Sequence, residues 1–344
     1  FIMIFKGLVL ERTKAYLCNH YNFKIRFTMA SSLQDEVDLP IIDISQFSFE
    51  SEGLKNLQNH PGVATVREAC KEWGFFRIVN TGVPNDIFQK LESVSHELFA
   101  MPQEMKDRAI TSNPFESYKR PPYKPESFFF PTPSDSDSVH AFCNKLWPEK
   151  DNLKLCYTIV AYMLCMEDLK RKICIIILAS LGLDVETFYH SDFEKGTSIF
   201  RIHYHSAEGK FGEEALLAHT DPHCFSILYQ DNGGGLQIES KEGNWVDVKP
   251  IPNSLGINIA DSLQAWSNGR YCSTKHRVVY KDWFNRISMA WGLLFPLDKE
   301  ICAPVELVDE RHPQRYRPFP YRAFLEASRK GITIESYAGI SPPY

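Results

Sequence analysis

Apolar and polar positions follow two different periods in the first half of this chain. Short apolar runs alternate with stretches in which apolar residues recur every three or four positions. The first pattern is typical of buried strands and the second of amphipathic helices. We therefore predict strands over residues 39–45 and 75–80, and helices over 63–73 and 87–98.

The second half of the chain has a different pattern. One apolar stripe runs through residues 152–181 and predicts a long core helix that ends at Gly182. From Thr197 onward, short apolar runs are separated by turn sequences such as DNGGG, KEGN and SNGR. Closely spaced strands with tight turns are typical of a barrel or jelly-roll. The tail, residues 310–339, is predicted to form a loop and then a helix.

Residues 111–138 interrupt these patterns with six prolines, several serines and a group of aromatic residues. One interpretation is a long surface loop. The other is a mobile flap that carries aromatic side chains to an active site. The sequence leaves both open.

Composition and charge exclude some functions. The chain has 344 residues, of which 44% are hydrophobic and 24% charged, and its formal net charge is −5. A general nucleic-acid-binding protein usually has a basic surface, and no apolar run approaches the roughly 20 residues of a membrane span. The nine cysteines are irregularly spaced without a CxxC pair, which indicates reduced thiols. We expect a cytoplasmic monomer with no nucleic-acid or membrane partner.

The first 28 residues differ from the rest. They contain five Lys or Arg and one Glu, whereas the remainder is acidic, and Met29 is followed by Ala-Ser-Ser. One interpretation is that residues 1–28 are non-native or upstream sequence. The other is an organelle transit peptide, since such peptides are basic and poor in acidic residues.

The segment ALLAHTDPHCFSILYQ (215–230) is the first sign of chemistry, because it places His219 and Asp221 in an apolar run. Residues i and i+2 of a strand share a face, and buried polar groups need a partner. His276, at the start of a later predicted strand, can supply a third ligand. Two His and one carboxylate form the facial triad of non-haem Fe(II) oxygenases, although a zinc hydrolase could use the same set. His223 continues the alternate positions of His219 and Asp221 and is predicted to line a pocket or lie in a loop.

A carboxylate-binding pair follows. Arg286 comes ten residues after His276, and Ser288 shares its face of a predicted strand. A buried guanidinium needs an anion, and arginine binds carboxylates with two parallel hydrogen bonds. The pair therefore predicts a carboxylate co-substrate near the metal.

These motifs together resemble the plant 2-oxoglutarate- and Fe(II)-dependent dioxygenases: HTD, 54 residues, HRV, and then RIS. The resemblance extends from Leu39 to the C-terminus, and NGRYCSTKHRVV is most similar to gibberellin-oxidase-like members. It implies an isopenicillin N synthase-like, mixed α/β fold with a mainly β core. That core would be a double-stranded β-helix, or jelly-roll, with an N-terminal α/β region and flanking helices. The implied divisions are 39–150 (N-terminal region), 195–300 (dioxygenase core) and 301–344 (C-terminal loop and helix).

The resemblance also implies roles for individual residues. His219, Asp221 and His276 would bind Fe(II), and Arg286 and Ser288 would bind the distal carboxylate of 2-oxoglutarate. The family usually has Asn-x-Tyr on the strand before HxD, but this chain has His203 and His205 there, with Tyr204 facing away. Because histidine can donate hydrogen bonds, both are candidates for 2-oxoglutarate binding. The alternatives are that the replacement weakens this binding or makes it pH-dependent near neutrality.

The implied reaction consumes O₂ and 2-oxoglutarate, releases succinate and CO₂, and hydroxylates or desaturates a small plant metabolite, with a gibberellin-like acid as one candidate. Residues 118–132 and Phe295 are predicted to contact this substrate. Lys119, Arg120 or Lys124 would then bind an acidic group on it. The alternative is a ligand-binding or interaction protein with a degenerate co-substrate site, which the unusual histidines favour.

Overall fold

The computed structural model describes residues 37–113, 115–121, 125–130, 136–146, 153–206, 211–281 and 285–340. All of them belong to one compact unit, 36–344. The N-terminal segment 1–28 lies outside the described residues, so both interpretations of it stay predictions.

Ten α-helices lie in the described part of the chain. Their bounds are α1 Ser51–Asn56, α2 Pro61–Glu72, α3 Asn85–Phe99, α4 Gln103–Asp107, α5 Ser136–Leu146, α6 Leu153–Leu181, α7 Val185–Phe188, α8 Asp261–Trp266, α9 Tyr321–Ser328 and α10 Ile334–Ala338. Short 3-10 turns cover Ile44–Gln46, Leu57–Asn59 and Val305–Leu307, and a π-helical turn covers Tyr189–Phe193. None of the described helices is long and apolar enough to span a membrane.

The strands form two large sheets and one small one. Their bounds are β1 Ile41–Asp43, β2 Phe75–Val79, β3 Ser117–Lys119, β4 Glu126–Phe130, β5 Thr197–His205, β6 Glu214–His219, β7 Phe225–Gln230, β8 Leu236–Glu239, β9 Trp245–Asp247, β10 Leu255–Ile259, β11 His276–Val279, β12 Arg286–Leu294, β13 Glu300–Ile301 and β14 Phe319–Pro320. The eight-stranded sheet has the order β1-β2-β10-β7-β12-β5-β4-β3, and the four-stranded sheet has the order β6-β11-β8-β9. Every pairing is antiparallel except that of β1 with β2.

The main hydrophobic core joins the outer face of the large sheet to α6. Tyr162 of α6 packs against Phe200 of β5 and Trp291 of β12, with ring centroids 4.9 and 6.2 Å apart. All three side chains are fully buried. The apolar stripe of α6 therefore supports the sheet from behind, which leaves the other face of β5, β7 and β12 available for a site.

A second, smaller core lies between the two large sheets. It joins Phe75 of β2 to Ala215 of β6, Ile238 of β8 and Val278 of β11. Two antiparallel sheets that face each other around an interior form a jelly-roll. The predicted mixed α/β fold with a jelly-roll core and flanking helices is thus confirmed.

The structure corrects two predictions about elements. Residues 111–138 are not simply a loop, because β3 and β4 form a hairpin that extends the large sheet through β5. Asp221 is not on a strand either, because within the run 215–230 β6 ends at His219 and β7 begins at Phe225. Pro222 lies in the interruption, where its missing N–H would break a sheet ladder.

Candidate active site

A cavity of about 430 Å³ opens between the two large sheets. The large sheet contributes residues of β2, β5, β7 and β12 to its walls, and the small sheet contributes residues of β6, β8 and β11. The lining contains apolar side chains such as Phe75, Leu228 and Met289 together with a few polar groups. Such a mainly apolar, partly enclosed space is typical of a site for a small organic ligand.

The predicted metal ligands meet on one wall of this cavity. One ligand atom each from His219, Asp221 and His276 lies within 4.8 Å of the other two. The Nε2 atoms of His219 and His276 lie 3.9 and 3.7 Å from the Asp221 carboxylate oxygens. His219 ends β6 and faces His276 at the start of β11 in the sheet register. Asp221 lies two residues beyond the end of β6 and not on the strand itself.

The backbone fixes which nitrogen of each histidine faces the other ligands. Nδ1 of His219 lies 2.7 Å from the Leu217 carbonyl oxygen, and Nδ1 of His276 lies 3.2 Å from the Thr274 carbonyl oxygen. A carbonyl can only accept a hydrogen bond, so each Nδ1–H donates to it and each Nε2 keeps a lone pair. Metal-binding histidines in proteins are usually oriented by a second hydrogen bond of this kind.

The Asp221 carboxylate is held ionised. Burial alone would raise its pKa, but His223, His276 and His219 outweigh burial and lower the pKa below its ordinary value. The Asn258 amide donates to Oδ2 over 3.0 Å. Burial lowers the pKa of His276, which favours a neutral imidazole. Two histidines and a carboxylate fit Fe(II), and a neutral His276 can bind the ion without first losing a proton.

Arg286 lines the same cavity. Its Nε donates to the Gly234 carbonyl over 2.6 Å, one terminal nitrogen donates to Ser288 Oγ over 2.8 Å, and the other donates to Gln230 Oε1 over 3.3 Å. Burial lowers its pKa to about 10, so the guanidinium remains charged at neutral pH. Its five N–H groups exceed these three bonds, which leaves donors for an anion in the cavity.

The structure separates the two unusual histidines. His203 lines the cavity, whereas His205 is not among the described residues that line it. His205 is opposite Arg286 in the sheet, 2% exposed, and neither of its ring nitrogens has a hydrogen-bond partner in the described structure. Tyr204 faces the other way, as expected, and stacks on Phe99 of α3 at 5.0 Å.

His223 is a third imidazole beside His219 and His276 of the candidate metal site. It is buried in the cavity wall, bonded to Ser226, with Nε2 3.6 Å from Asp221 Oδ2. Burial lowers its pKa to about 4. The expectation that it lines the pocket is confirmed.

Sequence reasoning missed three polar residues of this site: Asn258, Gln230 and Arg201. Asn258 holds Asp221 and Gln230 holds Arg286, while Arg201 lines the cavity two residues before His203 and lies over the Phe129 ring at 4.6 Å. Each is a polar residue inside or at the end of an otherwise apolar strand. That signal, already used for His219 and Asp221, could have found them.

The predicted substrate contacts need correction. Within 118–132, the described cavity wall includes Pro125 and Phe129, but Tyr118 does not line the cavity, and Phe295 is fully buried in the core. Arg120 pairs with Asp107 on the surface at 3.0 Å, and Lys119 lies over the ring of the cavity-lining Phe129 at 6.0 Å. Neither lines the cavity, and Lys124 lies outside the described residues. Lys119 pairs with Ser127 on β4 and so shares the sheet face of His203, but it is not among the described lining residues.

Comparisons with known proteins agree with this site. Residues 196–291 match the family model of the 2OG-Fe(II) oxygenase superfamily, and residues 39–150 match the model described as non-haem dioxygenase in morphine synthesis N-terminal. A gibberellin 20-oxidase-like protein of Arabidopsis thaliana is 32% identical over 334 residues, which cover 88% of this chain and 98% of that protein.

Solved structures give the same result. The crystal structure of the rice dioxygenase for auxin oxidation is 30% identical with a TM-score of 0.76, covering 88% of this chain and all of that one. JOX2, solved in complex with 2OG, Fe and JA, is 26% identical with a TM-score of 0.70, covering 91% of this chain and 92% of that one. Together with the metal triad and Arg286, these matches show that the chain belongs to the 2OG-Fe(II) oxygenase superfamily and is a 2-oxoglutarate- and Fe(II)-dependent dioxygenase, an oxidoreductase.

Proposed function

We propose that this enzyme oxidises a small, largely apolar metabolite that carries a carboxylate. The observation behind this proposal is the charge of the cavity. Four arginines and one carboxylate lie among its described lining residues: Arg77, Arg201, Arg286, Arg329 and Asp221. The whole chain, in contrast, has a formal net charge of −5.

The positive charge of the cavity walls is larger than the co-substrate can neutralise. Fe(II) adds two positive charges and 2-oxoglutarate adds two negative charges, so the four guanidinium groups still outweigh the one carboxylate. Walls with an excess of one sign of charge attract ligands of the opposite sign, so the cavity favours an anionic substrate. The apolar walls favour a carbon skeleton with few other polar groups. A gibberellin-like diterpenoid acid meets these requirements and is one candidate.

Arg201 is the best-placed group for the substrate carboxylate. Arg77 is buried and bonded to the Lys249 carbonyl, and Arg286 is bonded to Ser288. Arg329 is exposed at the end of α9 and lies over Phe115 at 5.4 Å. Arg201 is partly buried on β5, on the same face as His203. We assign the substrate carboxylate to Arg201, with Arg329 attracting the anion at the cavity mouth.

We assign the distal carboxylate of 2-oxoglutarate to Arg286 and Ser288, which lie in the same cavity as the metal triad. His205 is retained as a third contributor, because it lies opposite Arg286 in the sheet and its ring nitrogens have no side-chain partner in the described structure. His219, Asp221 and His276 would hold the iron, which when bound with 2-oxoglutarate and O₂ supplies the oxidation of a C–H bond with release of succinate and CO₂.

The protein's own residues position and isolate the reactants. Asn258 and the two backbone carbonyls fix the ligand set, and Gln230 and Gly234 fix Arg286. Side chains held in this way need little rearrangement when the reactants bind. The apolar walls exclude water from the reacting groups, which protects a reactive oxidant from side reactions.

The test measures the turnover of a panel of apolar carboxylic acids and of the methyl ester of each acid. The succinate formed and the substrate oxidised are both quantified. We expect acids and not esters to be oxidised. Arg201→Gln should raise the KM for the acid at least tenfold, as loss of a charge-assisted hydrogen bond does, and leave the KM for 2-oxoglutarate unchanged. Arg120→Gln is the matched control, because Arg120 pairs with Asp107 away from the cavity. Equal turnover of esters, or an unchanged KM in Arg201→Gln, would contradict the proposal.

We further propose that the enzyme is a cytoplasmic monomer that acts on small molecules without a nucleic-acid partner. None of the eight cysteines in the described part of the chain forms a disulfide, which supports a reducing compartment. We also retain 39–150, 195–300 and 301–344 as the functional divisions of the chain. Sedimentation of the purified enzyme and fractionation of its source tissue test the oligomeric state and the compartment.

A further inference from the structure

His203 occupies a position between the co-substrate arginine and the proposed substrate arginine. In the sheet register it pairs with Ser288 on β12 and with Ser127 on β4. Its side chain lines the cavity, on the same face of β5 as Arg201. The residue can therefore contact either the co-substrate or the primary substrate, and its hydrogen bonds decide between them.

Ser127 fixes the tautomer of His203. The Ser127 hydroxyl oxygen lies 2.8 Å from the Pro125 carbonyl oxygen and 2.7 Å from His203 Nδ1. Two acceptors at 2.8 Å would repel each other, so the single hydroxyl proton must lie between Ser127 and Pro125. The hydroxyl oxygen then accepts a hydrogen bond from Nδ1–H of His203. Burial, with help from Arg201 and Arg286, lowers the pKa of His203 to about 3, so the ring is neutral and carries its only proton on Nδ1.

Nε2 of His203 is consequently a hydrogen-bond acceptor. Within the described part of the chain no protein group donates to it, and it is not among the fully enclosed unpartnered atoms. The atom is thus reachable from the cavity, and an acceptor in such a site is stabilised only by a ligand or water that donates.

The co-substrate cannot be that donor. At neutral pH both carboxylates and the keto oxygen of 2-oxoglutarate are acceptors, and an acceptor facing the Nε2 lone pair would be repelled. An organic substrate with a hydroxyl or N–H group has the required chemistry. The expectation that His203 helps to bind 2-oxoglutarate therefore gives way to a different assignment.

We propose that His203 positions the primary substrate: its Nε2 accepts a hydrogen bond from a hydroxyl or N–H group of an apolar acid whose carboxylate is bound by Arg201. This inference rests on the proposed function and adds a second requirement to the substrate class. A substrate held at two points has one edge of its carbon skeleton directed to the metal triad, which fixes the position that is oxidised.

The first test measures substrate binding without turnover. Anaerobic enzyme with Fe(II) and 2-oxoglutarate is titrated with matched pairs of apolar acids that differ only in a hydrogen-bond donor, among them indole-3-acetate and 1-benzothiophene-3-acetate. Binding is followed by the shift of the visible absorption band of the Fe(II)–2-oxoglutarate complex. In at least one pair we expect the donor-bearing acid to bind at least fivefold more tightly.

Variants assign that preference to His203. His203→Phe should abolish it, while His203→Asn, which restores an acceptor, should keep most of it. The affinity for 2-oxoglutarate should change less than twofold in both. Absence of a preference in every pair, or loss of 2-oxoglutarate binding in His203→Phe, would overturn the inference. Absence of the band itself in the unmodified enzyme would instead contradict the proposed function, so the two failures are distinguishable.

The second test reads the tautomer directly in the metal-free enzyme. Two-bond ¹H–¹⁵N spectra distinguish a protonated from an unprotonated ring nitrogen, and His203→Gln identifies the signals. We expect an Nδ1–H tautomer that is lost or mixed in Ser127→Ala. A predominant Nε2–H tautomer in the unmodified enzyme would overturn the inference.

Discussion

Arg286 shows how a single residue is prepared for its ligand. Its guanidinium is buried, and Gly234, Ser288 and Gln230 accept hydrogen bonds from it. These partners fix the plane of the group while leaving donors for a carboxylate. The sequence predicted Arg286 and Ser288 as a pair because they lie two apart on one strand. The contacts of Arg286 with Gln230 and Gly234 could not be predicted, because they depend on how β7 and the glycine turn pack beside β12.

The co-substrate carboxylate should depend on the shape of this group as well as its charge. We expect Arg286→Lys to raise the KM for 2-oxoglutarate roughly tenfold or more, because lysine cannot form two parallel hydrogen bonds, with a smaller change in kcat. Initial rates at varied 2-oxoglutarate measure both constants. Arg277→Lys is the control, since Arg277 pairs with Glu214 and lies over Trp245. An unchanged KM in Arg286→Lys would contradict the assignment of this residue.

His205 provides a separate prediction. It is buried opposite Arg286 without a partner for either ring nitrogen in the described structure. We expect His205→Phe to raise the Kd for 2-oxoglutarate several-fold, because a neutral hydrogen bond contributes about 1 kcal/mol. Isothermal titration of the metal-loaded enzyme with 2-oxoglutarate provides the measurement. Unchanged affinity, with unfolding temperature also unchanged, would remove His205 from the co-substrate site.

Burial of His203 should make the stability of the metal-free enzyme depend on pH. Burial lowers its pKa from 6.5 to about 3, so below pH 6.5 the unfolded chain binds a proton that the folded chain does not. The free energy of unfolding should therefore fall as the pH drops from about 6.5 towards 3, by up to about 1.4 kcal/mol per pH unit from this group. Urea unfolding at several pH values tests this. In His203→Gln the free energy of unfolding should fall less steeply as the pH drops. An equal pH dependence in the two proteins would contradict the prediction.

At the scale of elements, the strand and helix patterns were informative wherever an element has one buried face. The long helix α6 and strands such as β2, β11 and β12 lie where the apolar pattern placed them. The β3–β4 hairpin was missed because its prolines and serines are typical of loops, while its stability comes from pairing with β5. Asp221 was placed on a strand, but Pro222 ends the ladder, and the backbone of the following loop brings its carboxylate to the two histidines.

The glycine turn between β7 and β8 is the element on which Arg286 depends most. Gly235 has φ +88°, and an added Cβ would lie 2.2 Å from the Val279 carbonyl oxygen. We expect Gly235→Ala to lower the free energy of unfolding by about 2–3 kcal/mol, from backbone strain and displacement of β11. The displacement should also raise the KM for 2-oxoglutarate, because the neighbouring Gly234 carbonyl holds Arg286.

Gly243→Ala is a matched control for that prediction. Gly243 has φ +81° but no atom within 4 Å of an added Cβ, so only the backbone strain of about 1–2 kcal/mol applies. Urea unfolding and the KM for 2-oxoglutarate are measured for both variants. Equal destabilisation by the two substitutions would show that close packing at Gly235 has no effect.

At the scale of the whole molecule, the metal site and the main hydrophobic core lie on opposite faces of the large sheet. The core of α6, β5 and β12 surrounds Tyr162, Phe200 and Trp291, whereas the metal ligands belong to β6, β11 and the loop after β6. The fold therefore does not need the metal, in contrast with small domains that unfold without one. A sequence can predict the ligand set, but the separation of the two regions follows only from the sheet order.

We accordingly expect His276→Ala to lose metal binding while still unfolding cooperatively. In the unmodified enzyme, Fe(II) or Mn(II) at 100 times its Kd should stabilise the fold by about 2.7 kcal/mol and raise the unfolding temperature by several degrees. His276→Ala should show no such rise. Loss of cooperative unfolding in this variant, compared with His312→Ala as a surface control, would show that the metal has a structural role.

One cavity is proposed to hold Fe(II) through His219, Asp221 and His276 and 2-oxoglutarate through Arg286. The most direct test is to mix anaerobic enzyme with Fe(II) and 2-oxoglutarate and record the visible absorption band of their complex. We predict a band in the unmodified enzyme that is lost in His276→Ala and needs at least tenfold more 2-oxoglutarate in Arg286→Ala. No band in the unmodified enzyme, at concentrations where Fe(II) still raises the unfolding temperature, would contradict the account and favour a ligand-binding protein with a degenerate co-substrate site.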